Sequence, residues 1–485
     1  MVFSNLFFIY LFLPLNLILY FVVKNRTWQN IVLLGFSLFF YAWGEPVWVF
    51  MLMLTAFLDY TWARCIEYFR QSGQTRRVKI ALAASLIFDL GMLGVFKYSG
   101  FLIENINLLT GLNLPVPQIA LPIGISFYTF QTLSYSIDVY RRDVKAERNI
   151  IDFGAYVVMF PQLIAGPIVK YRDVSNQLHV YKHRYTLSQI EEGMTLFTFG
   201  LAKKVLLADG FGAVVGNGWS RLGDLSAPAA WLVILGYTLQ LYFDFSGYCD
   251  IATGIARLLG LRLPLNFNSP YRSLSVGEFW KRWHMTLTTF LRECVYFPLG
   301  GSRKGTVRTY GNILVVFLIS GFWHGAGWTF LAWGGLHGLA QVLERAWGPS
   351  RERLPRALRW AVTFLFVNVA WVFFRAPDLA SALALLRAAV TGGLAAPDTW
   401  LLSGLFSKET GALRLLLPFL TPWEDGLRLG VLYGAGLVAA LWPRTVQSRM
   451  DAFRPTVRLG LGLGILMVWC VLSFSGVTTF IYSNF

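Results

Sequence analysis

The stretch Ser320-Gly321-Phe322-Trp323-His324-Gly325-Ala326 sets an ionisable imidazole inside an apolar run, between residues 313–319 and 328–331. A titratable group at membrane depth is costly to bury and points to function by default. The chain has only five histidines, and two of them, His324 and His337, lie in this one apolar region. An imidazole removed from water is favoured in its neutral form. A neutral imidazole can take a proton from a hydroxyl, which is what general-base catalysis requires. The same ring could equally be structural, bonded to a neighbouring helix. Periodicity alone does not separate the two.

Three other places carry polar chemistry. His284 lies 40 residues before His324, in Trp280-Lys281-Arg282-Trp283-His284-Met285. Read locally, it is either a polar residue on an amphipathic helix or a functional group. His337 follows His324 by 13 residues, a separation that fits no i, i+4 metal pair. In Tyr242-Phe243-Asp244-Phe245-Ser246-Gly247-Tyr248-Cys249-Asp250, two carboxylates stand in an aromatic region and need partners. Arg257, Arg282 and Arg292 are the candidates. The carboxylates either hold helices together as ion pairs or line a polar passage for a hydroxylated substrate. His179 and His183 fall in a basic loop and read as solvated.

The elements that must position these groups follow from composition. The 485-residue chain is 55% hydrophobic and 14% charged, with mean hydropathy +0.53. A soluble domain is nearer a quarter charged. A bilayer-spanning helix needs about 20 mostly apolar residues, which leaves room for about 10–13 spans. The expected fold is therefore an all-α polytopic integral membrane protein. The net charge of +16 comes from short basic clusters between apolar runs, such as Arg70, Arg76, Arg77 and Lys79. Such clusters are the usual cytoplasmic flanks of membrane helices, so nucleic acid is not an expected partner. Cys65, Cys249, Cys294 and Cys470 are scattered, with no metal-like spacing, so no metal site is expected. Phosphate-loop, dinucleotide and nucleophile-elbow motifs are absent from the sequence. Broken helices with buried charges also occur in transporters, so a transport or export role stays open on physics alone.

Apolar runs fall at 6–23, 31–43, 47–65, 80–96, 121–140, 151–169, 230–259, 313–324, 328–343, 358–374, 427–442 and 459–481. The stretch 1–23 lacks a basic n-region and reads as a retained first span. The basic loops after the first and third runs place the N-terminus outside. That rule then fails at 151–169, which has basic residues on both sides, including Lys182 and Arg184. Pro161, Gly166 and Pro167 break this run, so residues 160–169 read as re-entrant. Residues 275–296 read as one amphipathic helix, with Ser275 and Glu278 at capping-box spacing and Glu278–Arg282 an i, i+4 pair.

Six segments taken together resemble the membrane-bound O-acyltransferases. They are Leu121–Gln131 (LPIGISFYTFQ), Phe160–Pro167 (FPQLIAGP), Tyr242–Tyr248 (YFDFSGY), Phe279–His284 (FWKRWH), Gly321–Gly325 (GFWHG) and Phe480–Tyr482 (FIY). The likeness is strongest to the bacterial alginate and related polysaccharide O-acetylating membrane subunits. It covers residues 1 to about 345 and is weaker beyond.

The resemblance implies one membrane-embedded domain over 1–485, with a motif-bearing core at about 1–345 and C-terminal helices at about 355–485. It implies re-entrant and amphipathic helices around a central catalytic funnel. It implies His324 as the catalytic residue and His284 as the second active-site residue. His337, Trp323, Asp244, Tyr248 and Arg282 are possible supporting residues. The implied reaction moves an acetyl group from cytoplasmic acetyl-CoA, a substrate rather than a bound cofactor, to an extracytoplasmic polysaccharide. An acetyl-relay partner outside the bacterial inner membrane takes part. A related alternative is D-alanyl transfer to teichoic acid from a carrier-protein thioester. A non-catalytic polysaccharide export subunit is a third.

Overall fold

The computed structural model describes residues 1–180, 186–452, 456–474 and 480–481. Among these residues every regular element is helical. The helices are α1 (Leu13–Val22), α2 (Arg26–Ala42), α3 (Trp48–Gln71), α4 (Thr75–Leu93), α5 (Ser99–Thr110), α6 (Ile125–Arg141), α7 (Ile150–Val157), α8 (Phe160–Leu163) and α9 (Tyr171–His179). They continue as α10 (Leu187–Ala202), α11 (Asp209–Ser220), α12 (Ala227–Leu258), α13 (Val276–Trp280), α14 (Met285–Leu291), α15 (Thr306–His324) and α16 (Trp328–Trp347). The last are α17 (Arg356–Arg375), α18 (Leu379–Thr391), α19 (Ser407–Leu416), α20 (Glu424–Ala440) and α21 (Val457–Leu472). Among the described residues, the segments Trp48–Gln71, Thr75–Thr110, Thr306–His324 and Arg356–Arg375 are long and apolar enough to cross a membrane. Large apolar side chains such as Phe50, Ile87, Leu365 and Ile465 face outward, as lipid contact requires. The protein is a multi-pass membrane protein.

Two compact units form. The first is Met1–Phe197 with Cys249–Leu265, and the second is Thr198–Tyr248 with Asn266–Ile481. In the first unit α3, α4 and α6 pack pairwise. The side chain of Asn25 caps α2 by accepting from the Trp28 N–H at 3.2 Å, and that of Asn149 caps α7 by accepting from Ile151 N–H at 3.0 Å. Gly124 starts α6 in the left-handed region, at φ 78°, and a Cβ there would lie 2.7 Å from the Leu163 carbonyl oxygen. Only glycine allows this approach. It explains why Leu121–Gln131 and Phe160–Pro167 need each other.

The run at 151–169 is broken into the short helices α7 and α8. At 1.5 Å per residue the eight residues of α7 cover about 12 Å, against about 30 Å for a bilayer core. Its loosened carbonyls are met by side chains. Tyr156 O accepts from Gln131 Nε2 and from Gln162 Nε2, each at 3.0 Å. The Tyr156 hydroxyl donates to Val169 O at 3.0 Å. Irregular backbone at membrane depth survives where protein shelters it in this way. Lys182, His183 and Arg184 lie outside the described residues. His179 is not simply solvated: its Nε2 stands 2.7 Å from Glu147 Oε2.

Several elements differ from expectation. Residues 187–220 are helical throughout, with a π turn at Lys203–Ala208. They escape a search for apolar runs because Glu191, Glu192, Lys203, Lys204 and Asp209 interrupt the hydrophobicity. Helix α18 and the short α19 also lie outside the apolar runs. Most consequential is residues 275–296, which do not form one helix.

Candidate active site

All the elements of the site belong to the second unit. Helices α15 and α16 run antiparallel, joined by Gly325-Ala326-Gly327. Their backbones nearly touch: a Cβ on Gly321 would lie 2.3 Å from Phe330 O, and one on Gly334 would lie 2.4 Å from Phe317 O. Small residues at such crossings let membrane helices approach closely. His324 is the last residue of α15, where Gly325 turns extended. It is 2% exposed. Its ring is boxed by Trp323 at 4.7 Å, Phe374 at 5.1 Å and, edge-on, Trp333 at 5.2 Å.

His284 interrupts the helix that periodicity predicts. It sits between α13 and α14 with φ 44° and ψ 54°, a conformation that a side chain beyond glycine rarely adopts. Such a residue persists only when its surroundings hold it there, and it tends to mark function. Here Asn266 does the holding. Its backbone carbonyl accepts from Met285 N–H at 3.0 Å. Its Oδ1 accepts from the Thr286 N–H at 3.2 Å and the Thr286 hydroxyl at 3.0 Å. The Thr286 N–H can only donate, so that atom is the amide oxygen. His284 Nδ1, 3.2 Å from the same oxygen, is therefore the donor nitrogen. In a neutral ring this leaves the lone pair on Nε2. Phe245 of α12 packs on His284 at 4.8 Å, and Trp323 lies 6.3 Å away. Trp323 thus touches both candidate histidines.

His337 is fully buried on α16. Its Nδ1 accepts from the Trp280 indole N–H at 3.1 Å. Indole nitrogen is only a donor, so a neutral His337 carries its hydrogen on Nε2. Trp333, 5.0 Å from His337 and 5.2 Å from His324, separates the two imidazoles. His337 therefore braces Trp280 and Trp333, the wall behind His324.

The remaining candidates divide. Trp323 is in the site. Arg282 is occupied beside it: its guanidinium meets Glu278 at 2.8 Å and Asn268 O at 3.3 Å, bracing the turn that leads to His284. The partners foreseen for Asp244 are corrected. Arg282 is paired with Glu278, and Arg257 pairs with Glu192 at 2.7 Å. Asp244 takes Lys204 at 2.8 Å and the Ile481 N–H at 2.7 Å. Lys204 also reaches Asp209 at 2.9 Å and lies 4.8 Å from the Phe480 ring, while Tyr248 packs on Phe480 at 4.7 Å. Asp244 and Tyr248 therefore anchor the C-terminal segment, and their neighbour Phe245 supplies the contact to His284. Lys204 and Asn266 were not foreseen. The pair Lys203-Lys204 in a hydrophobic stretch was a usable signal for the first. Nothing in the residues around Asn266 signals the second. A cavity of about 360 Å³ lined by Gly277, Gln341, Glu344, Arg345 and Arg351 contains none of the histidines.

The second unit thus holds buried, oriented imidazoles in an aromatic enclosure of a polytopic membrane protein. Comparison with known proteins agrees. The model of the membrane-bound O-acyltransferase family matches residues 34–382. The probable alginate O-acetylase AlgI of Azotobacter vinelandii is 40% identical over 437 residues, 88% of this chain and 85% of that protein. The peptidoglycan O-acetyltransferase of Helicobacter pylori is 38% identical over 423 residues, 80% of each chain. The teichoic acid D-alanyltransferase of Streptococcus thermophilus is 28% identical over 238 residues, 46% of this chain. The chain belongs to the membrane-bound O-acyltransferase family and is an acyltransferase.

Proposed function

We propose that this protein transfers an acetyl group from acetyl-CoA, on the cytoplasmic side of a bacterial inner membrane, to an extracytoplasmic polysaccharide, through a relay partner outside. The observation that carries the reading is His324, buried at the broken end of α15 inside an aromatic box. His324 removes the proton from an acceptor hydroxyl. The freed oxygen attacks the thioester carbonyl, a C–O bond forms and the C–S bond breaks. The departing thiolate takes the proton back from the imidazolium, so the products are an ester and a free thiol. His284, held by Asn266, orients or polarises the thioester. The aromatic enclosure keeps water from the thioester. Short basic clusters on the cytoplasmic loops attract the anionic donor.

Acetyl transfer is favoured over D-alanyl transfer because the acetylating relatives match 78–88% of the chain at 38–42% identity and the D-alanyl relatives 46–52% at 25–28%. The test uses purified protein with labelled acetyl-CoA and its acceptor. Wild type releases free CoA. His324→Ala and His324→Gln keep normal membrane abundance and lose about 10²–10⁴-fold in rate, since neither side chain accepts the proton. A well-expressed, fully active His324→Ala protein refutes the assignment. Labelling only from an acylated carrier protein moves it to the D-alanyl class.

A further inference from the structure

The first unit holds two carboxyl groups that acyl transfer does not use. Asp59 stands midway along α3 and Asp89 lies in α4, and both are 0% exposed. Both belong to segments long and apolar enough to cross a membrane. Carboxylates at that depth mark ion or proton pathways when they are kept at all.

Their hydrogen bonds are few and all come from hydroxyls. The Ser136 and Ser85 hydroxyls meet at 2.9 Å, and Ser85 donates to Asp59 Oδ1 at 2.8 Å. On the other side Thr132 donates to Asp89 Oδ2 at 3.1 Å. The other oxygens, Asp59 Oδ2 and Asp89 Oδ1, are buried with no hydrogen-bond partner among the described residues, and the two carboxyls act on one another. Ionised carboxylate oxygens can only accept, so these two lack a donor, and a proton held by the pair supplies one. No lysine, arginine or histidine among the described residues acts on either group.

A separate observation points to the same spot. The Tyr128 hydroxyl and Thr129 Oγ1 on α6 are fully buried and have no hydrogen-bond partner among the described residues. Both lie within one turn of Thr132, and Asp89 acts electrostatically on Tyr128. Tyr128 is thus the ionisable group that faces the pair from α6. Lys97, the next cation beyond α4, is held on Ser126 at 3.0 Å.

We propose that Asp59 and Asp89 form a proton-binding site in the α3–α4–α6 bundle, one exchangeable proton being shared between the two carboxyls and reached through the hydroxyls of Ser136, Ser85 and Thr132. Two bare like charges this close in a low-dielectric interior repel strongly. One shared proton removes one charge and spreads the other over both groups. A sodium ion would balance the same charge, but it would take the place of the proton at the two oxygens that lack a donor.

The site is independent of the acyl-transfer reading, and its test does not use activity. The full chain in lipid nanodiscs, in sodium-free buffer at neutral pH, is compared with Asp89→Asn and Asp59→Asn by infrared difference spectroscopy. The wild type shows a deuterium-sensitive carbonyl band of an un-ionised carboxylic acid, and both variants lose it. Replacing choline chloride by sodium chloride leaves the band in place. A wild-type spectrum without the band overturns the proposal, and so does a band that sodium abolishes. Should a variant fail to fold, carboxyl-labelled aspartate in the wild type decides alone. Solid-state NMR then finds an un-ionised aspartic acid at neutral pH, and its absence refutes the site.

Discussion

Gly321 on α15 and Gly334 on α16 face each other so closely that a Cβ on Gly321 would stand 3.3 Å from Gly334 Cα and 2.3 Å from the Phe330 carbonyl oxygen. This contact places His324 against Trp333. Gly321→Ala cannot be accommodated by a side-chain movement, because the obstacle is backbone. Overpacking of this kind costs about 1–3 kcal/mol. The variant unfolds at lower temperature in detergent and loses activity with it. Gly311→Ala, a position with no atom within 4 Å of the added Cβ, serves as the control and leaves both unchanged.

Much of this was legible in the sequence, for physical reasons. Helices in a membrane protein are written as apolar runs, and an imidazole such as His324 stands out against them. The interruption at His284 was not legible, because Trp280, Trp283, Leu287 and Leu291 keep helical spacing through it while the backbone turns left-handed. Its cause lies in Asn266, 18 residues away. The Lys204–Asp244 pair was hidden because its partners are 40 residues apart. Nearby arginines were the obvious alternatives, and Arg257 and Arg282 have carboxylates of their own in Glu192 and Glu278.

Asn266 acts on His284 rather than on substrate. Asn266→Ala removes the acceptor for His284 Nδ1 and frees the ring to rotate. A hydrogen bond of this kind contributes about 0.5–1.5 kcal/mol, so turnover falls up to about tenfold with little change in KM. His284→Ala falls at least as far, and the double variant falls no further than His284→Ala. Additive losses would mean that Asn266 has a separate role.

Glu147 gives the first unit a pH dependence. Burial pushes its carboxyl up, but the Tyr171 hydroxyl, the Asn149 and Arg148 N–H groups and nearby His179 outweigh this and hold it below the usual glutamate range. A carboxyl depressed in the folded state contributes stability above its unfolded pKa, and that stability is lost as pH falls through the folded one. Tyr171→Phe removes the first donor, so the folded value moves back toward the ordinary one. Thermal unfolding followed from neutral to acid pH shows the variant losing stability at higher pH than wild type. Identical profiles would mean that the Tyr171 hydroxyl contributes nothing to the acid limb.

Lys204 and Asp244 test whether the C-terminal segment is fastened by charge. Asp244 uses one oxygen on Lys204 and the other on the Ile481 N–H. Lys204→Met leaves a buried carboxylate without its cation, and breaking a buried pair in this way costs about 3–5 kcal/mol. The variant is recovered at low yield and is cleaved near its C-terminus by protease. Asp244→Asn is milder, because an amide oxygen still accepts from Ile481 and Asp209 still pairs with Lys204 at 2.9 Å. Combining Lys204→Met with Asp244→Leu removes both charges and recovers part of the lost stability, though not the C-terminal anchor. Protease resistance in Lys204→Met equal to wild type would show that the segment is held by Tyr248 and the Phe480 ring instead.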